Sequence, residues 1–329
     1  MNNYDVIGIG NAIVDVISHA EDTFLDHMGI EKGIMQLVER DRAEVLYAAM
    51  QDRVETPGGS VANTIAGLGS LGLSTAFIGK VKDDALGRFY AKGMEEAGTA
   101  FPNPPTPEAE APTSRSMIFV SPDGERSMNT YLGAGADLGQ KDVSSDLFAG
   151  SKILFLEGYL FDKDDGKTAF TAAAQSMRAA GGKAGITLSD PFCADRHRTD
   201  FQRLIRDDMD FVLGNAAEWT TLYETDDLGQ ALDQAASVCD TVVCTCSGDP
   251  VLLRRAGEQV AVPVQKVVPV DATGAGDQFA AGFLYGFATG QSLETCGRMG
   301  VVAAAEVIGH IGPRPKADLR SLFAQQGLV

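Results

Sequence analysis

Asp271-Ala272-Thr273-Gly274-Ala275-Gly276-Asp277 stands between a valine-rich run, Val267-Val268-Pro269-Val270, and a long apolar segment. In that segment Phe279, Phe283 and Phe287 recur every four residues, which predicts a helix with three rings on one face. The valine run reads as a short buried strand. Small residues at 274, 275 and 276 leave the first-turn N–H groups of the helix uncovered. Those groups lack intrahelical acceptors, and the macrodipole makes that end electropositive, so an anion fits there. Asp277 falls in the same turn. A carboxylate beside a phosphate-sized hole suits phosphoryl transfer, one group orienting an acceptor hydroxyl while the others stabilise moving charge. Taken alone, the heptad is equally a Gly-rich turn with an acidic cap.

A second stretch breaks the tie. Residues 58–72 read GGSVANTIAGLGSLG, from Gly58 and Gly59 through Asn63 to Gly72. The two glycines let a loop approach a ligand closely, and Asn63 falls near the start of a helix whose small residues permit close packing. Together the two stretches resemble the paired signatures of the ribokinase-like (PfkB) family of carbohydrate and nucleoside kinases, GGxxxN…LxxLG and DTxGAGD. Ala272 stands where Thr is common. The resemblance spans essentially the whole chain. It implies an α/β fold, a ribokinase-like αβα sandwich with a mostly parallel central sheet and a small β-sheet lid.

Composition fits one such domain over residues 1–329: an apolar fraction of 44% supplies a core, and 37 glycines suit many strand–helix turns. The net charge of −18 speaks against a nucleic-acid surface or an anionic membrane as partner. Small anions remain compatible, because a local nest of N–H groups binds phosphate inside an acidic protein. No basic leader precedes an apolar core at the start, and no apolar run reaches the roughly 18 residues of a membrane span, so a cytoplasmic protein is expected. Five cysteines, an odd number, suit a reducing compartment. Cys244 and Cys246 read as buried strand residues, since no second close pair or histidine accompanies them.

Strand-like runs at 75–79, 152–157, 183–188, 209–213 and 241–246 alternate with helical ones at 84–97, 165–180 and 228–239. That alternation predicts βαβ units and a parallel sheet covered on both faces. Residues 12–38 and 99–134 alternate in a shorter, hairpin-like way, with Ser121-Pro122-Asp123-Gly124 as a turn signal. They are expected to be the lid insertions. There is no Walker-A pattern. Gly8-Ile9-Gly10 follows a strand, but Ile13 occupies the place of the third glycine of a dinucleotide fingerprint.

On the acceptor side, Asn11 and Asp15 follow the first strand. One carboxylate accepting from two vicinal hydroxyls matches a sugar; the bland alternative is an Asx turn at 11 and an exposed strand Asp at 15. The resemblance assigns the sugar grip to Asp15, with Gly58, Gly59 and Asn63 adding contacts. Within the family, Gly8-x-Gly10-Asn11-Ala12-x-x-Asp15, Arg126-Ser127 and Leu188-Ser189-Asp190-Pro191-Phe192 are similar to adenosine kinases. This implies adenosine as acceptor, phosphorylated to AMP as in purine salvage; a free pentose or hexose is the alternative, and a non-catalytic nucleotide-binding module a third reading. A nucleoside also needs an apolar slot, for which Phe192, Tyr159 and Leu160 are candidates.

For the donor, the resemblance implies ATP. Asn215-Ala216-Ala217-Glu218 resembles the NxxE motif, with Asn215 and Glu218 organising Mg²⁺ through water. Thr245, Ser247, Gly248, Thr273 and Gly276 are the expected nucleotide contacts, although many members have Gly at the place of Ser247. Asp271 is a candidate oxygen donor to a monovalent cation such as K⁺. The implied mechanism is in-line transfer of the γ-phosphoryl group. Asp277, expected to stay ionised, deprotonates the hydroxyl; the N–H groups of Gly274, Ala275 and Gly276 hold the charge; Arg126 swings in from the lid. A monomer or a homodimer is compatible with the sequence.

Overall fold

Alternation along short apolar strands builds the large sheet and sorts its side chains between two cores. In Ile153–Glu157, Leu154 and Leu156 enter the core on one face while Ile153 and Phe155 enter the other. Val212 and Phe211 divide the same way. Residues 3–329 are described by a computed structural model. The sheet has nine strands. From one edge they are β14 (Glu258–Val262), β13 (Asp249–Arg255), β12 (Thr241–Cys246), β11 (Phe211–Asn215), β10 (Lys183–Thr187), β9 (Ile153–Glu157), β1 (Val6–Ile9), β5 (Thr75–Ile78) and β6 (Thr99–Ala100). All neighbours from β12 to β6 run parallel, and β13 and β14 complete the edge antiparallel. This is the mostly parallel α/β sheet the sequence predicted, with helices Asp164–Ala179 and Leu228–Ala236 close to their expected positions.

A second sheet of five strands runs β3 (Met35–Leu37), β8 (Arg126–Tyr131), β7 (Ser114–Val120), β2 (Ile13–His19) and β4 (Val54–Gly58). The β7–β8 hairpin turns at Ser121–Gly124, with Gly124 at φ +86°. Two details differ from the expected insertions at 12–38 and 99–134. Val54–Gly58, which lies outside both, pairs with β2, so the Gly58-Gly59 loop leaves directly from the small sheet. Thr99–Ala100, inside the second range, pairs instead with the large sheet.

Val267–Val270 is not a buried strand. The segment carries no regular structure, and Val268 is 89% exposed. The sheet ends at β14, so this stretch has no strand to pair with as it crosses to the helix Ala275–Ala288. That helix packs against the helix Ser60–Ser70 through missing side chains. A Cβ on Gly67 would strike the Gln278 side chain, and one on Gly8 would strike Ile65. The close approach sets the two signature stretches side by side. Phe279, Phe283 and Phe287 stack along one helix face as predicted, with centroids 6.3 and 5.9 Å apart.

Candidate active site

The C-terminal ends of the parallel strands converge with the N-termini of both signature helices, where open α/β sheets bind ligands. Gly274 enters its helix at φ +79°, and a Cβ there would lie 2.6 Å from Pro313 Cα, so only glycine fits. Gly276 has open space where a side chain would stand. The Ala275 N–H is closed onto the Ala272 carbonyl at 3.2 Å, which corrects the expectation that it serves the anion hole. The N–H groups of Gly276 and Asp277 have no backbone acceptor among the described residues.

Asp277 is half-buried and held through both oxygens. Ser60 Oγ donates to Oδ1 at 2.7 Å and Asn63 Nδ2 to Oδ2 at 3.0 Å, while Thr64 Oγ1 donates to the Asp277 carbonyl at 3.0 Å. Burial pushes its carboxyl up to about 6 against the pull of the Ser60 and Asn63 hydrogen bonds. The helix start was expected to keep it a weak, fully ionised base; desolvation outweighs that effect and makes it a stronger base.

Asp277 also lines a cavity of about 180 Å³, with Ser60, Gly276, Asn215, Glu218 and Thr245. Asn215 caps the helix Ala216–Leu222, and Glu218 returns hydrogen bonds from the Asn215 N–H at 2.8 Å and Nδ2 at 2.7 Å. Burial and the nearby Asp190 charge raise Glu218 to about 7. A wider groove of about 640 Å³ continues from Asn215 past Cys246, Ser247, Pro250 and Leu252. Ser247 and Gly248 form the two-residue loop between β12 and β13. Both have positive φ, +44° and +99°, as a tight hairpin demands, and Ser247 adopts it without glycine's freedom.

Asp15, on β2, lies buried over Gly58, where any Cβ would collide with its carboxylate. Burial raises it to about 7; Arg314 opposes this, Asp277 adds to it, and Arg126 opposes it. Gly59, at φ +102°, presses so close to the Asn11 carbonyl that a Cβ would collide. Asn11 gives its amide to Glu157 Oε1 at 2.8 Å, leaving its own Oδ1 buried without a donor.

Several expected residues lie elsewhere. Leu160 is sealed in the core beside Phe161 and Phe170, because the single turn Gly158–Asp162 carries it under the sheet. Phe192 is 75% exposed on the helix Pro191–Arg196, and the Tyr159 hydroxyl is committed to the Ser189 carbonyl at 3.1 Å. The three do not form a slot. Arg126 is paired with Asp271 at 2.5 Å rather than reaching into the cavity. Asp271 also accepts the Thr273 N–H at 3.0 Å and the Gly312 N–H at 2.9 Å, so its oxygens do not fit a monovalent cation.

Sequence reasoning missed Ser60, Glu157, Gln278 and Arg314. Glu157 had a readable signal, a carboxylate at the C-terminal end of a parallel strand. It accepts the Asn11 and Val61 N–H groups at 3.1 and 3.0 Å, and burial raises it to about 7. Asp15, Glu157, Glu218 and Asp277 all titrate well above the 3.8 and 4.5 of free carboxyls. Between those ranges the folded chain holds protons that the unfolded chain has released, so its stability falls as pH rises from about 4 to 7. The thermal midpoint of the ligand-free protein is therefore expected to be lower at pH 7.5 than at pH 5.5 by several degrees. A midpoint rising over that interval would show that the four carboxyls are not desolvated as described.

The pfkB family carbohydrate kinase profile matches residues 31–319. The adenosine kinase structure from Sinorhizobium meliloti is similar at 46% identity and a TM-score of 0.91, covering 98% of this chain and 99% of its own. A probable sugar kinase structure from Rhizobium etli CFN 42 is 42% identical with a TM-score of 0.92, both chains covered fully. Adenosine kinase 2 of Arabidopsis thaliana is 27% identical, the match covering 94% of this chain and 96% of the relative.

Proposed function

This chain belongs to the pfkB carbohydrate kinase family, phosphotransferases with a hydroxyl acceptor, and we propose that it transfers the γ-phosphoryl group of ATP to the 5′-hydroxyl of adenosine. The observation that carries the chemistry is Asp277, a half-buried carboxylate of raised basicity beside the open N–H groups of Gly276 and of Asp277 itself. It takes the hydroxyl proton while those N–H groups receive the developing phosphoryl charge. Asp15 accepts the two ribose hydroxyls. The orphaned Asn11 Oδ1 supports this subsite, because a buried acceptor without a donor calls for a ligand hydroxyl. The nucleotide would occupy the cavity lined by Thr245 and the groove lined by Ser247, with Gly248 next in the same hairpin loop and Thr273 preceding Gly274 in the phosphate loop.

Mg²⁺ would be held by Asn215 and Glu218 only through its own waters, because the oxygens of both side chains already accept from one another's N–H groups. The donors are hard oxygens, and no cluster of three or more carboxylate, histidine or cysteine ligands exists among the described residues to strip its waters. When bound, it would supply positive charge to the phosphate oxygens. No helix among the described residues is long and apolar enough to cross a membrane.

Adenosine is favoured by the 46% identity to the Sinorhizobium adenosine kinase over 98% of this chain. A free sugar is the second reading, supported by the Rhizobium relative and by the failure of Phe192 and Leu160 to form a base slot. ATP consumption with adenosine, inosine, ribose and fructose decides between them. With adenosine, kcat/KM should exceed that for ribose by at least about 10²-fold, since burying the base covers apolar surface worth on the order of 1.5–3 kcal/mol for each side-chain-sized portion. Equal turnover of ribose or fructose would promote the sugar reading. The phosphoryl-transfer assignment would stand in either case.

A further inference from the structure

Arg314 takes no part in the chemistry above, yet the fold holds its loop on both sides. The Pro313 carbonyl accepts Gln278 Nε2 at 3.0 Å, and the Gly312 N–H donates to Asp271. Beyond it, Glu306 Oε1 accepts the Lys316 and Ala317 N–H groups at 3.0 and 2.8 Å. The guanidinium this loop presents is poorly partnered. Nε reaches Asn63 Oδ1 at 3.4 Å, and Nη2 meets the Met94 sulfur at 3.5 Å. No carboxylate lies within ion-pair distance of Arg314 among the described residues, whereas Arg126 closes on Asp271 at 2.5 Å. A half-buried cation without a counter-ion is costly, so a fold that keeps one beside its acceptor subsite places uncompensated positive charge there.

The charged and titratable groups around Asp15 come from several elements: Arg314 from this loop, Asp277 from its helix, Arg126 from β8, and Tyr90, whose hydroxyl donates to the Gly58 carbonyl at 3.0 Å. Glu157 adds negative charge from the end of β9, where it binds Asn11. Of the two cations, Arg126 is paired with Asp271 and acts on Asp15 less than Arg314 does. Arg314 is free to act on Asp15, and it also orients Asn63, whose amide holds Asp277.

We propose that Arg314 is a positioning residue of the acceptor subsite, the counter-charge that faces Asp15 where the acceptor hydroxyls bind while orienting Asn63 towards Asp277. This rests on the reading of Asp15 as the hydroxyl-binding carboxylate. Desolvation lowers the Arg314 pKa from its ordinary value, but the Asp15 and Tyr90 charges act in the opposite direction, and a guanidinium stays protonated through the neutral range.

The test follows the Asp15 carboxyl by ¹³C NMR in the ligand-free, full-length protein, with Asp15→Asn assigning its resonance. Two neutral variants, Arg314→Met and Arg314→Gln, should raise the Asp15 midpoint by about one unit or more, and Arg314→Lys should restore most of it. In parallel, the acceptor KM of the neutral variants should rise most at the low end of pH 6–8, with the ATP KM unchanged. An unmoved Asp15 midpoint in both neutral variants overturns the proposal. So does a KM loss that is equal at every pH and is not rescued by lysine. If the midpoint moves but the wild-type enzyme phosphorylates neither nucleoside nor sugar, the proposed function fails and the role of Arg314 stands.

Discussion

Asp277→Asn is expected to lower kcat by on the order of 10²-fold or more while leaving the acceptor KM nearly unchanged. Asparagine keeps the volume and one hydrogen bond, since Ser60 Oγ can still donate to its oxygen. On the other side two amide NH₂ groups would face each other, because the Asn63 oxygen is engaged by Arg314 and resists flipping its amide. That clash costs one hydrogen bond, about 1–3 kcal/mol, and not the fold, so an intact thermal transition separates lost chemistry from lost structure. The wild-type pH profile adds a second signature. With Asp277 raised to about 6, the ionised form predominates at pH 7 and is lost below the midpoint. The wild-type kcat should fall about tenfold per pH unit below 6 and level off above it, whereas the residual rate of Asp277→Asn should lack that limb. Near-wild-type turnover in the variant would remove Asp277 from the chemistry.

The parts of the fold that could be read in advance are those where one local pattern has one structural solution. Strands β9 to β12 alternate or run apolar, and the helices between them carry amphipathic periods, so their order and parallel pairing followed. The two signature stretches were legible because glycine at 58, 59 and 274 is demanded by close backbone approach and positive φ. What failed depends on partners distant in sequence. Val267–Val270 has strand propensity, but propensity needs an adjacent strand, and the sheet had ended. Arg126 lies on the lid hairpin as expected, next to its turn, yet nothing near it in sequence announces Asp271 as its partner. Leu160 reads as an apolar wall after a strand, and one tight turn directs it into the core instead. Arg314 is a lone arginine in a Gly/Pro-rich loop. Only the folded arrangement, with Gln278 and Glu306 fixing that loop, brings it to Asn63.

Asp15→Ala should weaken acceptor binding by roughly 2–4 kcal/mol, because two hydroxyls lose a buried charged acceptor. ATP affinity, measured by calorimetry without acceptor, should be almost unchanged, since Asp15 lies outside the cavity that carries Asn215, Glu218 and Thr245. The raised carboxyl gives the prediction two further readouts. In the free enzyme Asp15 titrates near 7, so at neutral pH a substantial fraction carries a proton. Hydroxyls that donate to it require the ionised form, so acceptor binding should expel that proton. The observed binding enthalpy should then vary with the ionisation enthalpy of the buffer in the wild type and not in Asp15→Ala. The variant should also stabilise the ligand-free protein at pH 8, where the native fold must keep a desolvated carboxylate next to Asp277. Weaker acceptor binding together with a more stable free enzyme is the expected mark of a residue held ready for its ligand at the expense of the fold. If ATP affinity falls while acceptor affinity holds, Asp15 belongs to the other subsite.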